Sequence, residues 1–164
     1  MTPAEVIVDR VLDREGGVID LGDGKGVTRY GQTPAWLAQF GLPVPQSRAQ
    51  AATNYHVWLA LTGLVLVVSV ADDLADIVVD IAVMSGAPKG IKALQAVLDV
   101  GVDGVLGVVT LARLAGADRR RLARAVIGWD MEYQGALITT NPAKAARWAH
   151  GWAHRLADHV RHLT

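Results

Sequence analysis

The chain has 164 residues, 51% of them apolar, with 16 basic and 16 acidic side chains and no cysteine. That length fits one domain with a sizeable core, and zero net charge gives no global pull toward nucleic acid or anionic lipid. Without cysteine there is neither a disulfide framework nor a thiolate metal site, so stability has to come from packing.

Thr2-Pro3-Ala4-Glu5 is a helix start: Thr2 caps, Pro3 suits the first helical position and Glu5 completes a capping box. Ala4, Ile7, Val8, Val11 and Leu12 then form an apolar stripe at helical spacing. Glu5, Asp9 and Arg10 within this segment argue against a secretory signal. Gly16-Gly17 ends the helix and leaves Glu15 in its last turn. The negative end of a helix dipole favours a neutral acid over a carboxylate, and a general acid needs that state. The plain alternative is a solvated glutamate at a frayed helix end.

Asp20 and Asp23 follow in a turn with Gly22, Gly24 and Gly26. The alternating oxygen ligands of a calcium loop are missing and Lys25 intrudes, so no metal is expected. A phosphate cradle would need a preceding strand and a Lys-Ser/Thr pair. Neither is present.

Thr33-Pro34 opens a short helix through Trp36, Leu37 and Phe40. Ser47-Arg48-Ala49-Gln50 is a further capping box, and the helix after it places Ala52, Tyr55, His56 and Leu59 on one face with Trp58 adjoining. The uncharged run 57–71 is too short for a membrane helix, which needs roughly 20 apolar residues. It reads as core, with 64–70 an extended connector or a helix lead-in. Ser69 to Asp72 opens a helix whose apolar face is Leu74, Ile77, Val78, Ile81 and Met84, and Pro88 begins the next, carrying Ile91, Leu94, Gln95 and Leu98. Asp103-Gly104 is a turn before a short helix through Leu111 and Leu114. Asp118 caps a long helix whose Arg119-Arg120-Arg121 reads as a solvated face. Asn141-Pro142 starts the last helix, with Trp148, Trp152, Leu156 and Leu163 inward and His150, His154, Asp158 and Arg161 outward. His150 and His154 lack the helical glutamate of a zincin, so they are not expected to hold metal. The expected fold class is mainly α, in a single domain over 1–164.

Several motifs together resemble glycoside hydrolase family 108, the N-acetylmuramidases of phage lysis cassettes and bacterial secretion loci. They are Glu15-Gly16-Gly17 with Asp23, Gly26, Thr28, Tyr30 and Gly31; Tyr55 with Trp58; and Asp80 to Gly86. Then come Ile91 to Gln95 with Val102 to Gly107 and Thr110, which look like a peptidoglycan-binding half, and Gly151 to Arg155. Val18 stands where the family usually has an aromatic, and Gln32 replaces an aliphatic residue. The resemblance implies a lysozyme-like helical domain, with a minor hairpin or extended turn after the first helix, divided into a catalytic half 1–86 and a helical half 87–164. It implies hydrolysis of the β-1,4 bond between N-acetylmuramic acid and N-acetylglucosamine, with Glu15 as the acid and no cofactor. The order Glu15, Asp23, Thr28 is also similar to that of small phage lysozymes, in which the Asp and Thr position the water. Tyr30, Tyr55 and Trp58 would offer flat faces to sugars. The implied partner is peptidoglycan, with no nucleic acid and no stable membrane insertion. The protein would be made in the host cytoplasm without a signal peptide, cross a separate holin-type pore and act on the cell wall. The alternative is a non-catalytic peptidoglycan-binding module of a lysis or secretion apparatus; a helical protein anchored by 57–71 is a third reading.

Overall fold

The computed structural model describes residues 1–20, 26–70 and 72–163, without the side chain of Lys144. The chain divides into two compact units, Met1–Ala71 and Asp72–Thr164.

In the first unit, helix α1 spans Pro3–Glu15 and begins on the expected capping box: the Glu5 N–H donates to Thr2 Oγ1 (3.3 Å) and the Thr2 N–H to Glu5 Oε2 (2.6 Å). It buries Ile7, Val8, Val11 and Leu12. A small antiparallel hairpin follows, β1 (Val18–Ile19) with β2 (Thr28–Arg29), in the register Val18 to Arg29 and Ile19 to Thr28. Helices α2 (Pro34–Phe40) and α3 (Arg48–Leu61) complete the unit's helical frame, and α1 packs on α3. On the rim of that contact Arg48 reaches Asp9 (2.5 Å) and Asp13 (2.8 Å), one turn apart on α1. All three side chains are substantially exposed, so these pairs set register more than they add stability.

Ser47 caps α3 through the Gln50 N–H, but the Gln50 carboxamide accepts from Gln46 rather than closing the box on Ser47. The buried face of α3 is Ala51, Asn54, Tyr55, Trp58 and Leu59. Of the expected face Ala52, Tyr55, His56 and Leu59, Tyr55 and Leu59 are buried, but the face is rotated toward Ala51 and Asn54, and Trp58 lies inside it rather than beside it. The cause is aromatic packing: Trp36 contacts Tyr55 (5.6 Å) and Trp58 (5.9 Å), drawing both rings inward.

The apolar run 64–70, expected as an extended connector or a helix lead-in, is not extended and forms tight turns ahead of the next helix. Helix α3 stops at Leu61, Gly63 adopts φ 76°, and a 3-10 turn covers Leu64–Leu66. Leu64, Val67 and Val68 are buried while Val65, Leu66 and Val70 are exposed. Among the described residues no helix is long and apolar enough to cross a membrane.

The second unit contains α4 (Asp73–Ser85), α5 (Ala87–Leu98), α6 (Val108–Ala115), α7 (Arg119–Thr140), the single turn α8 (Pro142–Ala145) and α9 (Ala149–His162). Helix α4 is buried from Leu74 through Ala82 and packs on both α5 and α7. The α4–α5 approach is close enough that a Cβ on Gly90 would sit 2.5 Å from the Val78 carbonyl. Only glycine fits that crossing. Buried Gln95 organises the loop before α6: its Nε2 donates to Asp103 Oδ1 (2.7 Å) and the Val105 carbonyl (2.9 Å), and its Oε1 accepts from the Gly104 N–H (2.8 Å). The Gln95 bond, then that from Val105, holds the Asp103 carboxyl below its ordinary range.

Two expectations change here. Arg119 is not part of a solvated face; it pairs with Asp72, the cap of α4, while Arg120 and Arg121 are exposed. The last helix is also broken, because the Trp148 N–H closes a turn on the Ala145 carbonyl (2.8 Å) before α9 begins.

Candidate active site

Glu15 is the last residue of α1, half-buried, and Gly16 ends the helix at φ 69°. The segment joining β2 to α2 lies beside it. A Cβ on Gly31 would stand 2.6 Å from both Cγ and Oε2 of Glu15, and 2.8 Å from its Cδ. The Glu15 side chain thus occupies the space that a side chain at position 31 would need. Thr28 pairs with Ile19 in the hairpin and is half-buried. Asp20 is exposed, and Asp23 lies outside the described residues.

Tyr30 adopts a left-handed conformation (φ 53°), which costs a side-chain-bearing residue about 1–2 kcal/mol. Its N–H donates to the Gly17 carbonyl (2.8 Å), and its carbonyl accepts from the Tyr55 hydroxyl (3.0 Å). Next to it, buried Gln32 donates to the Ala51 carbonyl (2.8 Å) and accepts from Asn54 Nδ2 (2.8 Å), which also donates to the Pro43 carbonyl (2.9 Å). These bonds tie the β2–α2 segment to α3. They also explain how a polar residue fills this buried position: its amide is satisfied on both sides.

The three aromatic candidates are not equivalent. Tyr30 is half-buried, whereas Tyr55 is 2% and Trp58 1% exposed. The two rings on α3 pack against each other (6.0 Å) and against Trp36. Their enclosure places both rings in the core, and the Tyr55 hydroxyl bonds the Tyr30 carbonyl.

A second polar cluster, which the sequence reading overlooked, lies within the other unit. Asp76 and Asp80 on α4, Asp130 and Gln134 on α7, and His159 on α9 are all buried. Arg155 donates to Asp80 (2.6 Å), His159 Nε2 lies 3.1 Å from the other Asp80 oxygen, and Gln134 donates to Asp130 (2.6 Å). The signal was present: two carboxylates four residues apart in an apolar helix, and Arg155 and His159 at the same spacing on α9. Among the described residues no group of three or more His, Asp or Glu is arranged to hold a metal ion.

Burial, reinforced by the nearby Asp80 charge, pushes the Asp130 carboxyl up to about 6, against the opposing effects of His159 and the Gln134 bond. Raised in the folded state, this group contributes stability that is full below its unfolded pKa of about 4 and is lost as pH rises through about 6. Asp130→Asn, which still accepts from Gln134, is therefore expected to leave the melting temperature nearly unchanged at pH 4. At pH 8 it should stabilise by about 1–3 kcal/mol. Thermal melts across that range check this; a pH-independent difference between variant and wild type would remove Asp130 as the titrating group.

Among the described residues the chain is mainly helical with one short antiparallel hairpin after the first helix, the arrangement expected of a lysozyme-like helical domain. Among solved structures it is similar to SagA of Brucella abortus, with a TM-score of 0.68 and 24% sequence identity, over 94% of this chain and 90% of that one. No protein-family model matches the sequence, and a search of curated proteins finds no match.

Proposed function

We propose that this protein hydrolyses peptidoglycan glycan strands as a glycoside hydrolase of the N-acetylmuramidase type, cleaving between N-acetylmuramic acid and N-acetylglucosamine as a phage endolysin does. The observation that carries the reading is the place of Glu15, a half-buried carboxyl at the end of α1 lying over Gly31. The fold shared with SagA supports it. Glu15 gives its proton to the glycosidic oxygen, and Asp23 with Thr28 orients water or steadies the oxocarbenium-like transition state. Thr28 is held in the hairpin by its pairing with Ile19. Tyr30 supplies a partly exposed ring for a sugar. The substrate places the action at the cell wall, reached from the cytoplasm through a separate holin-type pore.

A non-catalytic peptidoglycan-binding module is the second reading. The Gln95-centred loop favours it, since a buried amide holding Asp103, Gly104 and Val105 builds the motif that resembles a binding half. Reducing-end analysis of purified peptidoglycan after incubation separates the two. New N-acetylmuramic acid reducing ends support the muramidase; sedimentation with the wall and no new ends supports the module. With neither, both readings fall.

The water-handling role is tested by paired substitutions. Asp23→Ala is expected to lower the hydrolysis rate by about 10²-fold or more, and Asp20→Ala to leave it near wild type, with both proteins folded. Equal effects would dissolve the assignment of Asp23.

A further inference from the structure

We propose that Gly31 and Tyr55 are positioning residues that together build the seat of the Glu15 carboxyl. The inference rests on the reading of Glu15 as the general acid and extends it to how the acid is held. Glu15 stands at a helix end followed by two glycines. The turn after β2 supplies a surface that its side chain lies against. Because Gly31 has no Cβ, the Glu15 Cγ, Cδ and Oε2 come down onto its backbone, all within 2.8 Å of where a Cβ would be. The backbone there is left-handed at two consecutive residues, Tyr30 (φ 53°) and Gly31 (φ 77°). Such a conformation at a tyrosine persists only where its surroundings hold it. The Tyr55 hydroxyl does so from α3, donating to the Tyr30 carbonyl at 3.0 Å, while the Tyr30 N–H is held by Gly17. Tyr55 therefore acts on the acid through the backbone and touches no sugar: with 2% of its surface exposed, its ring has no face to offer.

The test compares three variants. Gly31→Ala places a methyl group where the Glu15 side chain lies, at a positive φ. Gly41→Ala imposes a similar left-handed strain (φ 63°), but its Cβ meets nothing within 4 Å. Tyr55→Phe keeps the packed ring and deletes the hydroxyl. Rates and KM on soluble peptidoglycan fragments are measured with thermal melts. The side-chain carboxyl 13C resonance of Glu15 is followed in glutamate-labelled protein, where only Glu5 and Glu132 share the label. Gly31→Ala is expected to lose about 10²-fold in kcat, with KM little changed and the Glu15 resonance displaced. Tyr55→Phe should lose about threefold to tenfold in kcat and displace the same resonance in the same direction. Gly41→Ala should lower the melting temperature comparably to Gly31→Ala while kcat and the resonance stay at wild type. Equal kcat losses in the two glycine variants, or an unmoved Glu15 resonance in Gly31→Ala, would overturn the proposal. If the wild-type protein releases no reducing ends, the muramidase reading fails by itself, and the resonance alone decides whether the seat exists.

Discussion

Glu15→Gln is expected to reduce release of reducing ends from purified peptidoglycan by about 10²–10⁴-fold, the usual share of general acid catalysis. The amide has nearly the volume and shape of the carboxyl, so it occupies the same space over Gly31 and leaves the backbone there undisturbed. What it lacks is an acidic proton for the departing glycosidic oxygen. Folding should be unaffected, because α1 draws its stability from Ile7, Val8, Val11 and Leu12 and from the Thr2–Glu5 cap, none of which the substitution touches. The measurement is a rate on purified wall, with circular dichroism and a melting curve on the same preparation. A Gln variant that cleaves like wild type would take Glu15 out of the mechanism and leave the carboxyl at the end of α1 with a structural role.

Trp58→Ala should carry the largest stability loss. The ring is 1% exposed and lies 5.9 Å from Trp36 and 6.0 Å from Tyr55, centroid to centroid, on the buried face of α3. Truncating a large buried aromatic costs about 3–5 kcal/mol, since lost burial is joined by a cavity that neighbours only partly fill. In a protein of this length each kcal/mol lowers the melting temperature by about 2–4 °C, so a drop of roughly 6–20 °C is expected. Activity per folded molecule should stay near wild type. A small stability loss coupled to a raised KM would instead return Trp58 to the cleft as a sugar-facing ring.

Much of the local architecture was legible in the chain because it depends on neighbours in sequence. The capping box at Thr2–Glu5, the proline start at Pro34, the stop at Gly16 and the stripe of α1 each involve residues within a few positions of one another. Helical spacing alone did not give the rotation of α3. Tyr55 lies on the expected face, but Trp58 joins it, and Trp36, some twenty residues earlier, packs against both. Arg119 looked solvated for the same kind of reason: its partner Asp72 is 47 residues away.

The sequence by itself determined that the protein is mainly helical, where most of its helices begin and end, and that Glu15 sits at a helix terminus followed by Gly16 and Gly17. Only the tertiary structure decided what surrounds that carboxyl. The contact of Glu15 with Gly31, the hydroxyl bond from Tyr55 to Tyr30 and the burial of Gln32 against Asn54 join segments 16 to 25 residues apart. Likewise, the charges of α4, α7 and α9 meet through Asp80 and His159, 79 residues apart. Periodicity assigns a side chain to a face of its own helix; it carries no information about which other segment that face will meet, because that is fixed by the packing of the whole unit.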